Sequence, residues 1–477
     1  MEAFKKKGRF MNILSIEAST TSAKAMFYST EDKKNDVVSK AFTGLKDASM
    51  QDADQIYSQT MALARTLSSG KKIDVISLSG TWFSILALDK NMIPLTPAIL
   101  WNCTIASSIC EKLRHDDAYV NDFYSRTGCM VNAIYPTFKL KWLFKEDPSL
   151  KNARFASLGS YFNYRLTGHM TSSKCLESGS GLLNLKTGEY DSEVLKDIGI
   201  SAGQLSELNE YDKILPLSSD AASLLDVTAG IPVVTTSADG GLNQVGSGAL
   251  SQGIATLSLG TSGAVRLSSS KPMLSPSRGV WCYRSPKAYL VGAATNGCCN
   301  CMDWARSSLF STATSFSDIE NQLQFLEDTP VFLPFLYGER CPGWDDTRLG
   351  GFYALKPSHD KLSMYEAVQE GCVFNLLQCF NILKDLTGDC KTIRMSGGVL
   401  SSPFWSQMCA NIFNRDIMTD DFQHASLMGA AVMAMDIFGL MKAEDFNPQF
   451  KAIIRPDPDK AAIYAKKYKQ YLDAYLG

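Results

Sequence analysis

A duplicated α/β fold, with two lobes facing each other across a cleft, is predicted by three observations on this sequence. The chain has 477 residues, too many for one compact core and enough for two. A strand–turn–strand unit occurs twice, around Ser19-Thr20-Thr21-Ser22 and around Gly260-Thr261-Ser262-Gly263. Each copy precedes a helical pattern and then an apolar strand closing on small residues, Ser79-Gly80 in the first half and Ser396-Gly397-Gly398 in the second.

In the first half the strand Asn12-Ile13-Leu14-Ser15-Ile16-Glu17 runs into the hydroxyl-rich turn, and Ala25-Met26-Phe27-Tyr28-Ser29 leads away. A helical pattern over 50–67 follows, then a buried-strand pattern over 73–78 and a second strand over 85–89, closed by Lys90-Asn91. Pro136 opens a helix over 135–146, because a first-turn residue needs no amide donor. The stretch 228–234 leads to Thr236-Ser237-Ala238-Asp239-Gly240-Gly241, and Gly246-Ser247-Gly248-Ala249 marks the lobe boundary.

In the second half Ile254–Leu259 enters the second turn and Ala264–Leu267 leaves it. Ser363 and Glu366 read as a capping box for a long helix ending near Leu386. The segment 459–476 is a Lys- and Tyr-rich amphipathic helix expected to pack as a tail. The expected division is an extension at 1–10, domains at 11–249 and 250–445, and a helical tail at 446–477.

Composition narrows the function. Apolar content of 45%, charge content of 20% and a net charge of −2 describe a soluble globular enzyme with no electrostatic footprint for nucleic acid or an anionic membrane. Thirteen cysteines without a paired framework indicate reduced thiols and a cytoplasmic location. Lys5, Lys6, Lys7 and Arg9 are not followed by an apolar run, so residues 1–10 read as a disordered extension, with Met11 as an alternative start, and not as a signal peptide. The apolar stretch Leu427 to Leu440 is short and holds Asp436, which suits a buried helix better than a membrane span.

A tight turn of hydroxyls and small residues between two strands aims backbone N–H groups at one spot, where a phosphate can sit. Two such turns, with Lys24 and Arg266 just behind them, suggest two lobes gripping a polyphosphate.

Here the chain resembles the FGGY carbohydrate kinase family of the actin-like ATPase superfamily. Glu17-Ala18-Ser19-Thr20-Thr21-Ser22-Ala23-Lys24 is similar to that family's first phosphate turn. Pro136-Thr137-Phe138-Lys139-Leu140-Lys141-Trp142-Leu143 matches its first signature, and Leu158–Tyr161 through Arg165-Leu166-Thr167-Gly168 its Leu-Thr-Gly segment. Gly338-Glu339-Arg340 with Pro342 resembles the Gly-Glu-Arg-x-Pro block, while His359, Ala367-Val368 and Glu370-Gly371 follow the second signature. Gly397-Gly398 through Phe404-Trp405-Ser406-Gln407 looks like the adenosine segment. The resemblance implies two actin-like (ribonuclease H-like) domains with a central cleft, ATP and Mg²⁺ as cofactors, and phosphorylation of a hydroxyl of a small sugar, sugar acid or polyol.

Residue by residue, the resemblance makes Asp239 the catalytic base, since the acceptor hydroxyl must lose its proton to a nearby carboxylate. Glu17 stands where the family has Asp and is the expected metal carboxylate. Thr20, Thr21, Ser22 and Lys24 would meet the phosphates from one lobe, and Gly260, Thr261 and Ser262 from the other. Gly398 would lie under the adenosine, where a Cβ leaves no room, and Ser402 would reach the adenine. Gly240 would let substrate approach the backbone.

The substrate pocket departs from the pattern. Thr81-Trp82-Phe83 replaces Gln-Met-His, and Trp101-Asn102-Cys103-Thr104-Ile105 lacks the family's Asp and Arg anchors. Trp82 and Trp101 would stack on a polyol and Thr81 or Asn102 would hydrogen-bond it; the bland reading has them filling the pocket. Asn296-Gly297-Cys298-Cys299-Asn300-Cys301 replaces a Gly-rich stretch near the nucleotide, without zinc spacing. The expected partners are a small carbohydrate and ATP, with a homodimer left open. The alternative is a non-catalytic metabolite-binding or regulatory protein on the same fold.

Overall fold

The computed structural model describes residues 10–311, 313–420 and 424–477. The extension expected at 1–10 therefore lies, but for Phe10, outside the described residues.

Two sheets carry the molecule. The first has six strands in the spatial order Ile214–Pro216, Pro232–Ala238, Val75–Gly80, Asn12–Ala18, Ser22–Ser29 and Lys34–Ala41. Asn12–Ala18 is parallel to Val75–Gly80, which is parallel to Pro232–Ala238, while Ser22–Ser29 and Lys34–Ala41 run antiparallel. In the second, seven-stranded sheet the same order recurs as Ile417–Asp420, Thr392–Gly397, Ile254–Leu259, Gly263–Ser269 and Ala288–Thr295. Its inner three strands are again parallel, and the next two antiparallel. The duplication read from the two turns is thus a duplication of whole sheets.

The inner strands are buried almost end to end, as a sheet covered on both faces requires. Helix Ala53–Ser68 packs on the first sheet and Lys361–Thr387 on the second. The helix following the outer parallel strand of each sheet, Asp239–Gly246 in one and Ala425–Ile437 in the other, crosses its counterpart between the lobes. That crossing is close: a Cβ on Gly246 would stand 1.9 Å from the Ala425 carbonyl oxygen, and one on Gly429 1.9 Å from that of Leu242. Leu427, Met428 and Val432 of the second helix are buried against Ile13, Met26, Val75 and Val234 of the first sheet. The apolar stretch near 427–440 is a buried helix, and no helix of the described residues is long and apolar enough to cross a membrane.

Three sequence expectations are corrected. The first helix starts at Ala53, not at 50, because the Asp52 side chain accepts from the Gln55 amide, while Met50 and Gln51 pair with Ala98–Ile99. The capping box at Ser363 and Glu366 does not form. Asp360 caps that helix through the Leu362 and Ser363 amides, and Glu366 instead accepts from the Leu326 amide. The segment 446–477 is more than a helical tail, since Phe450–Ile454 adds an antiparallel strand to the second sheet. Helix Pro458–Leu476 then docks on the second lobe through buried Tyr464 and Tyr471, with Lys467 Nζ 2.6 Å from Glu370 Oε1.

Candidate active site

Strands of both sheets end at one cleft cavity of about 350 Å³. Asp239 stands there because Pro232–Ala238 ends at the cleft, and it is the first residue of the short helix that follows. Its Oδ1 accepts from the Gly240 amide at 2.7 Å. Burial first, and the negative charge of Glu17 second, push its pKa up to about 6, against the pull of Arg266.

Glu17 closes the first strand and is nearly inaccessible. Its Oε1 is 2.9 Å from Lys24 Nζ, while Oε2 accepts from Ser79 Oγ at 2.9 Å and from Ser426 Oγ of the other lobe. Burial alone would raise its pKa, but Lys24 and these hydroxyls outweigh it and hold the carboxyl below its usual range.

The two turns face each other across the cavity. Ser19 and Thr20 line it from the first and Ser262, Gly263 and Ala264 from the second. In the first turn the Ser19 amide donates to the Ser22 carbonyl at 2.9 Å, and in the second the Gly260 amide donates to the Ser262 carbonyl at 3.0 Å. Thr21, Ser22, Gly260 and Thr261 belong to the same turns but are not among the residues lining this cavity.

Of the expected substrate residues, Thr81, Trp82, Trp101 and Gly240 line the cavity, and Asn102 does not, being exposed outside it. Thr81 Oγ1 is already donating to the Ala18 carbonyl at 2.8 Å, and Trp101 Nε1 to Thr20 Oγ1 at 2.9 Å. Trp82 is a wall more than a platform. It is buried among Phe83, Trp281 and Tyr283, and its Nε1 donates to the Cys175 carbonyl at 3.0 Å. Gly240 makes room for that wall: a Cβ there would stand 2.3 Å from the Trp82 ring. Cys103, in the stretch that lacks the family's polar anchors, is buried core.

Gly398 lies at the surface outside this cavity, where an added Cβ would meet Cys299 Sγ at 3.5 Å. Ser402 is corrected. Its hydroxyl caps helix Pro403–Phe413 by accepting from the Trp405 amide at 3.0 Å and donates to Glu320 Oε2 at 2.7 Å, so it is committed within the fold.

The second lobe and the helix at Asp239 supply more of the cavity than the motif reading assigned to it. Arg266, Trp281, Arg340 and Asn243 all line the cavity, and Arg266 Nε, Trp281 Nε1, Arg340 Nε and Asn243 Oδ1 are buried without a partner among the described residues. Leaving such an atom unpaired costs roughly 1–3 kcal/mol, and all four are sealed from solvent. Asn243 sits four residues after Asp239, one helical turn along, which was a readable signal. Trp281 carried none. Lys139, buried in the helix Pro136–Glu146, holds the pocket loops by donating to the Phe83 and Leu100 carbonyls at 2.8 and 2.7 Å.

Comparison with known proteins decides the lineage. Residues 12–246 match the N-terminal domain, and 255–436 the C-terminal domain, of the FGGY family of carbohydrate kinases. The chain belongs to this family. It is 28% identical to a gluconokinase of Bacillus subtilis over 97% of this chain and 94% of that protein. A gluconate kinase structure from Lactobacillus acidophilus superposes with a TM-score of 0.92 at 28% identity, covering 98% of both chains. A ligand-bound xylulose kinase from the same organism gives 0.92 at 29% identity over 97% of both.

The FGGY kinase described here transfers a phosphoryl group from ATP to a hydroxyl of a small carbohydrate, and the binding-only alternative is not favoured. Kinases of this family use ATP with a divalent metal. The carboxylates suit an ion carried mainly by phosphate oxygens: Glu17 and Asp239 both face the cavity, yet the described residues hold no group of three metal-ligating side chains. Direct ligation by Glu17 would have to displace Lys24 or a hydroxyl.

Proposed function

We propose that the phosphoryl acceptor is an open-chain sugar acid of the gluconate class and that Asp239 takes the proton of its attacking hydroxyl. One observation carries the reading: Asp239 shares its cavity with both turns and with two guanidinium side chains, Arg266 and Arg340. A carboxylate and adjacent hydroxyl oxygens are acceptors, and charge-assisted bonds to guanidinium groups are the strong ones. The gluconokinase of Bacillus subtilis and the gluconate kinase structure lend the same support.

In this reading the outer phosphates lie between the first turn, with Thr20, Thr21, Ser22 and Lys24, and the second, with Gly260, Thr261 and Ser262. The adenosine extends toward Gly398. Mg²⁺ on the phosphates, near Glu17, would offset their charge. Arg266 and Arg340 fix the sugar, and the aromatic wall around Trp82 keeps water from the reacting oxygen, which limits hydrolysis of ATP. We take 11–249 as the first working lobe and 250–445, completed by the strand Phe450–Ile454 and the C-terminal helix, as the second. We place the enzyme in the cytoplasm on its free thiols, all buried except the half-buried Cys299. Light scattering is the measurement for a homodimer.

Asp239→Asn is expected to lower kcat by about 10³-fold or more, with ATP affinity near wild type by calorimetry. Wild-type turnover in that variant ends the assignment. A neutral ketose is the second reading, supported by the xylulose kinase structure at 29% identity. Arg340→Met separates the two. With an acid substrate kcat/KM for gluconate drops by roughly 10–100-fold, the loss of one charged bond, while kcat/KM for xylulose changes little.

A further inference from the structure

Resting on the reading that Arg340 grips a sugar acid, we propose that Asp346 is a positioning residue for the acceptor. Its carboxylate latches the turn that carries Arg340 onto the first lobe.

The turn 338–346 is closed around Arg340 and fastened to the second lobe. The Glu339 amide donates to the Asp345 carbonyl at 2.8 Å, and the Trp344 amide to the Arg340 carbonyl at 2.8 Å. Gly338, with a φ of 73°, brings the two ends of the turn together, since a Cβ there would stand 2.5 Å from the Asp346 carbonyl oxygen. The Cys341 amide donates at 3.1 Å to the carbonyl of Ala294, a strand residue that itself lines the cavity. Trp344 Nε1 donates to the Arg278 carbonyl at 3.0 Å. Arg340 therefore moves with the second lobe, whereas Asp239 belongs to the first.

Asp346 bridges the two. Its Oδ2 is 3.0 Å from Nη1 of Arg114, at the end of the helix Ser107–Arg114, and its Oδ1 accepts from Asn132 Nδ2 at 3.1 Å. Both partners come from the first lobe, and both are held there. Arg114 Nη1 also donates to the Val131 carbonyl at 3.2 Å, and Asn132 Oδ1 accepts from the Ile134 amide at 3.1 Å. The ion pair is half-buried and Asn132 is buried, so salt screens the contact less than it would a surface pair. Two donors on one carboxylate fix direction as well as distance. The latch thus sets how far Arg340 stands from Asp239, two groups that one sugar acid must meet at once. Asp346 is not among the residues lining the cavity, so it acts through Arg340.

The test is steady-state kinetics of the full-length protein with gluconate and ATP. In Asp346→Asn the KM for gluconate should rise about 10-fold, with kcat and the KM for ATP within about twofold of wild type, as expected when a binding group is misplaced. Arg114→Met should give the same rise, and the double variant no more than either, because the pair acts as a unit. Asp346→Asn should add nothing in an Arg340→Met background. An unchanged gluconate KM in Asp346→Asn overturns the proposal. So does a further rise in the Arg340→Met background, which would show an effect that bypasses Arg340. A fall in kcat alone, alongside a lowered melting temperature, overturns it too, by reducing the latch to a structural tie. Failure of the sugar-acid reading looks different: Arg340→Met would itself keep the wild-type gluconate KM, and both ideas would fall together.

Discussion

Asp239 can act as a base only while ionised, and its surroundings set the pH at which that holds. Burial and then Glu17 raise its pKa to about 6, so it is protonated below that value and free to accept a proton above it. The acid limb of kcat/KM should therefore rise through about pH 6 with a slope of one proton, instead of near the ordinary carboxylate value. A limb centred near pH 4 would show that another group carries the base function. The sequence marked Asp239 through its motif, but Arg266, Trp281 and Arg340 become neighbours only when the lobes meet. Arg266 illustrates the difference. From the sequence it stood behind a phosphate turn, whereas in the fold it lines the sugar cavity, donates to Ser258 Oγ, and is pulled down to about pKa 10 by burial.

At the scale of elements, the crossing of helices Asp239–Gly246 and Ala425–Ile437 ties the base to the second lobe. Gly429→Ala puts a methyl group into the Leu242 carbonyl, which has no flexible end to yield. We expect a loss of about 1–3 kcal/mol, as for overpacked cores, read by urea denaturation, and a fall in kcat as Asp239 shifts. An unchanged midpoint and rate would mean the crossing tolerates a wider gap. The C-terminal helix gives a second case. Lys467 is buried against Glu370, and it also donates to the Leu326 carbonyl at 2.6 Å. Lys467→Met leaves Glu370 in the core without its cation, at a cost of roughly 3–5 kcal/mol. Calorimetric melting checks it, and Glu370→Gln in the same chain should recover part of the loss. Helix and strand types were legible because period and breakers are local. Boundaries were less so: Asp52 starts its helix later than the pattern placed it, and Asp360 took the cap that pattern had given to Ser363, since a cap depends on which amides are left unpaired.

For the whole molecule, two similar sheets are joined by crossing helices, and the cavity between them is lined from both lobes. Contacts already span the cleft, among them Ser426 with Glu17 and Tyr135 with Tyr283, whose hydroxyls are 2.7 Å apart. Binding of a non-hydrolysable ATP analogue together with gluconate should close the lobes and reduce the radius of gyration in solution scattering. At 100 times Kd each ligand should also add about 2.7 kcal/mol of stability. A radius unmoved by both ligands would argue that closure plays no part in excluding water.

By itself the sequence determined the duplicated α/β plan, the family, the two turns and Asp239. Those depend on local period and on short motifs that survive without knowledge of contacts. Only the tertiary structure decided that Ser402 is a helix cap, that Gly240 makes room for Trp82, and that Arg266, Trp281 and Arg340 of the second lobe line the cavity that holds Asp239. Each of those facts is a contact between residues far apart in the chain, and burial and pairing exist only once the two sheets have come together.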